Sequence, residues 1–205
     1  MYKLYSIPGT CSTGITVLLQ ELGQDVEIIN PHDIEGYTSI SPTNQVPALD
    51  DNGLILTEGA AIALYLLDKH GSDLRHDDSE KRGEFLRWLM FNYATLHPSY
   101  SKLFTVNGVM EGSSEKDALL TKLADLVSDN WAILDRRLEG REYTFGDTVT
   151  VIDYLICIYS GWNQFFPQLS INLGNNVRRL VDKVSELPEF QSAFALENNK
   201  FVKAS

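Results

Sequence analysis

Gln45-Val46-Pro47-Ala48-Leu49-Asp50-Asp51-Asn52-Gly53-Leu54-Ile55-Leu56-Thr57-Glu58-Gly59-Ala60-Ala61-Ile62 is the stretch around which the chain is organised. Asn52-Gly53 between two apolar runs is a strong hairpin signal, because a tight two-residue turn needs positive φ at both central positions. Two short antiparallel strands are expected to meet there. Pro47 cannot donate to a sheet ladder, so it belongs at an edge, a strand start or a bend made by a cis peptide. At such a bend the N–H and C=O of Val46 face outward, free for an extended peptide ligand. After the second strand, Thr57 is placed to cap a helix carrying Ala61, Ile62, Tyr65 and Leu66 on its apolar face, and the first-turn amides of that helix favour an anion. A bent strand beside a helix N-terminus that attracts a carboxylate describes a small-peptide site.

In this order and spacing, Val46-Pro47-Ala48-Leu49 followed by Thr57-Glu58-Gly59-Ala60-Ala61-Ile62 resembles the glutathione-binding segment of cytosolic glutathione S-transferases. Glu58-Gly59 in place of the commoner Glu-Ser is similar to the bacterial beta class. The competing reading is a hairpin that feeds a helix and holds no ligand.

Composition agrees with a globular protein. The chain has 205 residues, of which 43% are hydrophobic and 10% aromatic, enough for one or two domains with a real core. A net charge of -11 argues against nucleic acid or an anionic membrane as partner, since a binder of phosphate polymers needs clustered Lys and Arg. The two cysteines stand far apart and give neither zinc spacing nor a disulfide framework, and Met1-Tyr2-Lys3-Leu4 is not a signal peptide. A cytoplasmic protein without a bound metal is expected. No apolar run reaches the ~18 residues of a membrane span.

Taken in order, Tyr2 to Ile7 reads as a strand broken by Pro8-Gly9, and Cys11-Ser12-Thr13 opens a helix carrying Ile15, Leu18, Leu19 and Leu22 and stopped by Gly23. Val26 to Ile29 is a short β-branched strand, parallel to the first if the helix crosses over. Asn30 to Asn44, with Pro31, Gly36 and Pro42, is irregular and holds at most one turn of helix. With the hairpin and the helix after it, this is a thioredoxin-like plan over residues 1–71, followed by a polar linker over 72–79. Residues 80–205 read as an all-helical bundle. Phe85, Trp88 and Leu89 open a helix running toward His97-Pro98, and Leu119, Leu123, Leu126, Asn130, Leu134 and Leu138 mark one face of another. Two shorter helices, Asn175 to Glu186 and Glu189 to Asn198, close the chain. The fold class is thus α/β plus all-α.

Thr150-Val151-Ile152-Asp153 matches a capping box ahead of Tyr154-Leu155-Ile156-Cys157-Ile158-Tyr159, which is apolar all round and so belongs in a core. The same box before a buried central helix recurs in the C-terminal domain of glutathione transferases, which extends the resemblance over essentially the whole chain.

The chemical candidates gather at Ser6 to Ser12. Pro8-Gly9-Thr10-Cys11-Ser12 resembles the beta-class motif in which a cysteine at the N-terminus of the first helix faces the glutathione sulfur. A thiol placed there lies in the positive end of the helix dipole and is expected to ionise more easily, so Cys11 could hydrogen-bond that sulfur or form a mixed disulfide with it. The alternative for Cys11 is a small buried apolar residue, the reading preferred for Cys157. Gly14 stands where a Cys-x-x-Cys partner would, which excludes dithiol exchange within the chain. Ser12, with Thr10 behind it, offers a hydroxyl for the same role. Tyr5 falls one place earlier than the first-strand tyrosine of the family, and Ser6 takes the place nearer the turn.

His97 lies nine residues after Trp88, which matches the beta-class helix whose histidine points into the active site and could accept a thiol proton near neutral pH. Its alternative is an exposed histidine before a helix-breaking proline. His32, His70 and His76 carry no assigned role.

The resemblance further implies that Val46 pairs its backbone with the cysteinyl part of glutathione, with Pro47 fixing the bend and Gln45 beside it. Glu58 and Gly59 would hold the γ-glutamyl amine and carboxylate. Thr95 is a weaker candidate, as is Asn92, reaching across a dimer interface. The basic residue that beta-class members carry before this segment has no clear match, His32 being the only basic residue between Asn30 and Asn44. The implied protein is a homodimeric, detoxifying transferase that takes glutathione as co-substrate and joins it to a small hydrophobic electrophile, or exchanges it with a disulfide at Cys11. The competing class is a scaffold of the same fold that binds without turnover.

Overall fold

The computed structural model describes residues 1–71 and 78–203. The first part is a four-stranded sheet of order β2-β1-β3-β4 with two helices, built from β1 (Tyr2–Tyr5), α1 (Cys11–Glu21), β2 (Val26–Ile29), β3 (Ala48–Asp51), β4 (Leu54–Thr57) and α2 (Gly59–Lys69). β2 runs parallel to β1, with Leu4 beside Ile28, and β3 runs antiparallel to both β1 and β4. The mixed sheet follows from the connections, since α1 crosses over between parallel strands while Asn52 and Gly53, at φ 53° and 94°, make the expected tight hairpin. The loop before β3 holds two single turns of 3₁₀ helix where at most one was expected, Pro31–Asp33, capped by the Asn30 side chain, and Tyr37–Ser39, entered through Gly36 at φ 73°.

The remainder is helical: α3 (Ser79–Phe91), a π-helical turn (Asn92–Leu96), α4 (His97–Val109), α5 (Ser114–Arg137), α6 (Val151–Ser160), α7 (Asn175–Val184) and α8 (Pro188–Leu196). Every residue of α6 is buried. Its capping box is formed, with the carboxyl of Asp153 accepting from the backbone N–H of Thr150 at 2.8 Å and of Thr144 at 2.8 Å. α1 packs on α6 and α8, and a Cβ on Gly14 would lie 2.7 Å from the Leu155 side chain, so the glycine sets how closely α1 approaches α6. Leu4, Ile15, Leu18, Ile62, Trp131 and Ile156 join one continuous apolar core that runs from the sheet into the bundle. Among the described residues no helix is long and apolar enough to cross a membrane.

Four further expectations are corrected. Thr57 is not a helix cap: it pairs with Ala48 as the last residue of β4, and the chain turns into α2 at Glu58, which holds φ 66° and makes no side-chain capping bond. The helix expected to end at His97-Pro98 runs past it, because the π turn carries the backbone on and Pro98 falls in the first turn of α4, where its missing N–H removes little. The buried face of α5 is carried by Leu120, Ala124, Val127, Trp131 and Leu134, while Leu119 and Leu126 are 38% and 39% exposed. The stripe turns so that Trp131 enters the core. Lastly, α3 starts at Ser79, inside the expected linker, with the Asp78 carboxyl accepting from the N–H groups of Glu80 and Lys81; the linker's residues 72–77 lie outside the described residues.

Candidate active site

The start of α1 is held from both sides. Thr10 is its N-cap, accepting from Ser12 N–H and donating to the Ile7 carbonyl at 2.8 Å, and the Trp162 indole donates to the Gly9 carbonyl at 2.8 Å. Behind the loop, the buried carboxyl of Glu197 accepts from Ser6 at 2.9 Å, Thr13 at 2.7 Å and Thr16 at 2.7 Å. The Ser12 hydroxyl lies 2.7 Å from both Ser6 and Thr10 within this network and is fully buried. The expectation that Ser12 offers a hydroxyl to a ligand sulfur is therefore corrected: the side chain turns inward, because Glu197 draws the hydroxyls of this loop beneath α1.

Cys11 points the other way. Its thiol donates to the Val46 carbonyl at 3.6 Å and the residue is 7% exposed. Burial pushes the thiol up to about 12, and the charge of Glu58 adds to the rise; the N–H groups of Cys11 and Ser12 pull it down by less. The expected easily ionised thiol is thus not what the fold provides, since desolvation outweighs the helix terminus.

The Val46-Pro47 peptide is cis and lies just before β3. The loop leading to it is fixed by the Gln45 carbonyl, which accepts from the Tyr37 hydroxyl and the Ser41 hydroxyl, each at 2.9 Å. Cys11, Gln45, Val46, Pro47, Glu58, Gly59 and His97 converge on one cleft of about 270 Å³, together with Ser41, Thr43, Tyr93 and Ser101. The cleft is hydrogen-bonding in character. Glu58 is exposed at the N-terminus of α2, and the intrahelical ladder begins with the bond from Ile62 N–H to the Glu58 carbonyl, so the amides of the turn before it have no acceptor within the helix.

His97 stands at the junction with a second cleft. It is half-buried, lies edge-on to Tyr159 and Trp162 at centroid distances of 5.5 and 5.3 Å, and its Nδ1 is 3.3 Å from the Ser101 hydroxyl. Burial lowers its pKa, which favours the neutral, proton-accepting ring at neutral pH. The second cleft, of about 710 Å³, shares His97 and Ser101 with the first and is walled by Phe104, Trp162, Phe165 and Phe201 opposite the Pro8-Gly9-Thr10 loop. It is an apolar space beside a polar one, with an imidazole between them.

Two sequence candidates stay outside. Asn92 is fully buried in the π turn and its amide donates to the Trp88 carbonyl at 3.0 Å, so it cannot reach across an interface. Thr95 is exposed and does not line the cleft. His32 is likewise exposed and away from it. Sequence reasoning missed Tyr93, Ser101, Trp162 and Glu197. For the first two a signal existed: Tyr93, His97 and Ser101 recur every four residues, which puts them on one helical face.

Residues 1–68 match the family described as "Glutathione S-transferase, N-terminal domain". The chain is similar to Glutathione S-transferase GstA of Escherichia coli O157:H7, with 26% identity over 208 residues covering 97% of this chain and 100% of GstA. It is also similar to Glutathione S-transferase GST-4.5 of Xanthomonas campestris pv. campestris, with 30% identity over 171 residues covering 78% of this chain and 81% of the relative. Among solved structures, a sphingomonad glutathione S-transferase complexed with glutathione superposes with a TM-score of 0.81 at 27% identity, covering 96% of this chain and 98% of that one.

Proposed function

The chain belongs to the glutathione S-transferase family, and from that premise we propose that it is a glutathione transferase that ionises the glutathione thiol at His97 and adds it to an electrophile held in the aromatic cleft. The observation that carries this reading is the convergence of Cys11, Val46, Glu58, Gly59 and His97 on a polar cleft beside an apolar one that shares His97 and Ser101 with it. Glutathione lies extended, with its cysteinyl backbone on Val46, its ammonium on Glu58 and its γ-glutamyl carboxylate on the free amides of α2. Thr43 and Gln45 line the end where a basic residue is missing and supply neutral hydrogen bonds to the glycyl carboxylate instead.

The steps balance without another reagent. Neutral His97 takes the thiol proton, the sulfur attacks the electrophilic carbon, and the imidazolium returns its proton to the leaving group or to solvent. Once the cysteinyl N–H competes for the Val46 carbonyl, the Cys11 thiol is released to donate to the glutathione sulfur. A protonated Cys11 suits that role and does not suit disulfide exchange, which requires the thiolate. The fold's exposed Leu54 and Ile55 on the edge strand β4 support a homodimer, checked by its mass in solution.

The test is steady-state conjugation of glutathione to a chloronitrobenzene. Glutathione-dependent turnover is expected, falling about a hundredfold in His97→Ala and only about tenfold in Cys11→Ala. Glutathione binding without turnover of any electrophile would replace the enzyme by a scaffold.

A further inference from the structure

α2 opens on a glycine whose side-chain space is filled from elsewhere. A Cβ built on Gly59 would stand 2.6 Å from the hydroxyl oxygen of Tyr93 and 2.5 Å from its ring edge. Tyr93 belongs to the π turn, where the helical bundle leans over the first turn of α2 and over the polar cleft. Only a residue without a side chain can occupy position 59 while the phenol lies there.

The phenol oxygen is buried and finds no hydrogen-bond partner among the described residues, although a buried hydroxyl normally does. It faces a place in the cleft where a negative charge is favoured, the amides of an eleven-residue helix whose N-cap makes no side-chain bond. Burial, with the nearby Cys11 adding to it, keeps the phenol protonated far into the alkaline range, so it can serve only as a neutral donor or acceptor. Glu58, the charged group at this end of the cleft, is negative and would repel a carboxylate unless an ammonium accompanies it. Donors on one side and a carboxylate on the other fit an α-amino acid head, which carries both charges on one carbon.

We propose that the Tyr93 hydroxyl donates a hydrogen bond to the carboxylate of the γ-glutamyl group held at the N-terminus of α2, and that the Tyr93–Gly59 pair makes the cleft selective for ligands with an α-amino acid head. The inference rests on the reading of this cleft as a glutathione site. Tyr93 is then a binding residue that the bundle supplies, beside His97 and Ser101, to a cleft whose other walls come from the sheet and its helices. Gly59 is the space left for it.

Calorimetric titration of the parent and of Tyr93→Phe, each with glutathione and with cysteinylglycine, tests this. Tyr93→Phe is expected to weaken glutathione about tenfold and cysteinylglycine not at all, with the melting temperature of the ligand-free protein unchanged or higher because a partnerless buried hydroxyl has gone. Tyr93→Ala combined with Gly59→Ser should recover part of the affinity lost in Tyr93→Ala, as a hydroxyl returns to the same spot. Equal glutathione affinity in parent and Tyr93→Phe would overturn the inference and leave the proposed function standing. An equal loss for both ligands would overturn it too, since the hydroxyl would then serve the sulfur. Failure of the parent itself to bind glutathione would remove the proposed function and this inference together.

Discussion

The Cys11 thiol donates to the carbonyl of Val46 across 3.6 Å, which ties the first residue of α1 to the bent strand before β3. Because burial pushes this thiol up to about 12, ionisation is deferred to strongly alkaline pH. Alkylation of Cys11 by iodoacetamide, followed by mass spectrometry at that residue, should be at least about a hundredfold slower at pH 7 than for an exposed cysteine, and should rise roughly tenfold per pH unit toward pH 10. Rapid labelling below pH 7 would restore the easily ionised thiol and, with it, disulfide exchange.

Glu21, the last residue of α1, carries a carboxyl raised from 4.5 to about 7, chiefly by burial, with the charges of Glu189 and Asp153 adding to it. The Tyr154 hydroxyl counters the shift in part, yet among the described residues neither it nor Oε2 of Glu21 has a hydrogen-bond partner of normal geometry. In the unfolded chain the group ionises near its ordinary value, whereas in the fold it holds its proton to about pH 7. Stability is therefore full below the unfolded value and falls as pH rises to about 7. Glu21→Gln should stabilise the protein by on the order of 2 kcal/mol at pH 8 and leave it unchanged near pH 4, read by denaturant unfolding at the two pH values.

Asp153 accepts from Thr144 N–H and hydroxyl at 2.8 and 2.6 Å and from Thr150 N–H and hydroxyl at 2.8 and 3.0 Å, with no exposed surface of its own. Removing it strands buried donors at the head of α6. Asp153→Ala should cost about 3 kcal/mol of unfolding free energy while the glutathione Kd of the folded protein stays within about twofold. Unchanged stability with weakened binding would move Asp153 from the frame to the site.

Glu197 joins the end of α8 to the underside of the Cys11 loop through Ser6, Thr13 and Thr16. Glu197→Ala leaves those three hydroxyls without their acceptor and should lower stability by about 3 kcal/mol. Because Ser12 and Thr10 hang from the same network, KM for glutathione should rise as well. A variant that loses stability and keeps KM would limit Glu197 to anchoring α8.

Local signals were legible in the sequence and non-local ones were not. Asn52-Gly53, the Thr150–Asp153 box and the Gly23 stop each depend on backbone conformations set within a few residues, and all stand where they were expected. Thr57 was legible only as a cap until its pairing with Ala48 claimed it for β4. The direction of Ser12 depends on Glu197 at the far end of the chain, and the α5 stripe depends on where Trp131 must be placed. That Cys11, Val46, Glu58 and His97 belong together was legible through the family resemblance their motifs carry, and all four line one cleft, whereas the π turn that aims Tyr93 at Gly59 leaves no mark in hydrophobic periodicity.

Whether the cleft holds glutathione beside Glu58 is decided by calorimetric titration of the purified protein with the reduced tripeptide, repeated on Glu58→Gln, which removes the charge at the head of α2 and keeps the side chain's shape. Binding to the parent and a loss of about tenfold or more in Glu58→Gln are expected, as the ligand's ammonium loses the carboxylate that faces it. No heat of binding to the parent, or equal affinity in both proteins, would contradict that placement.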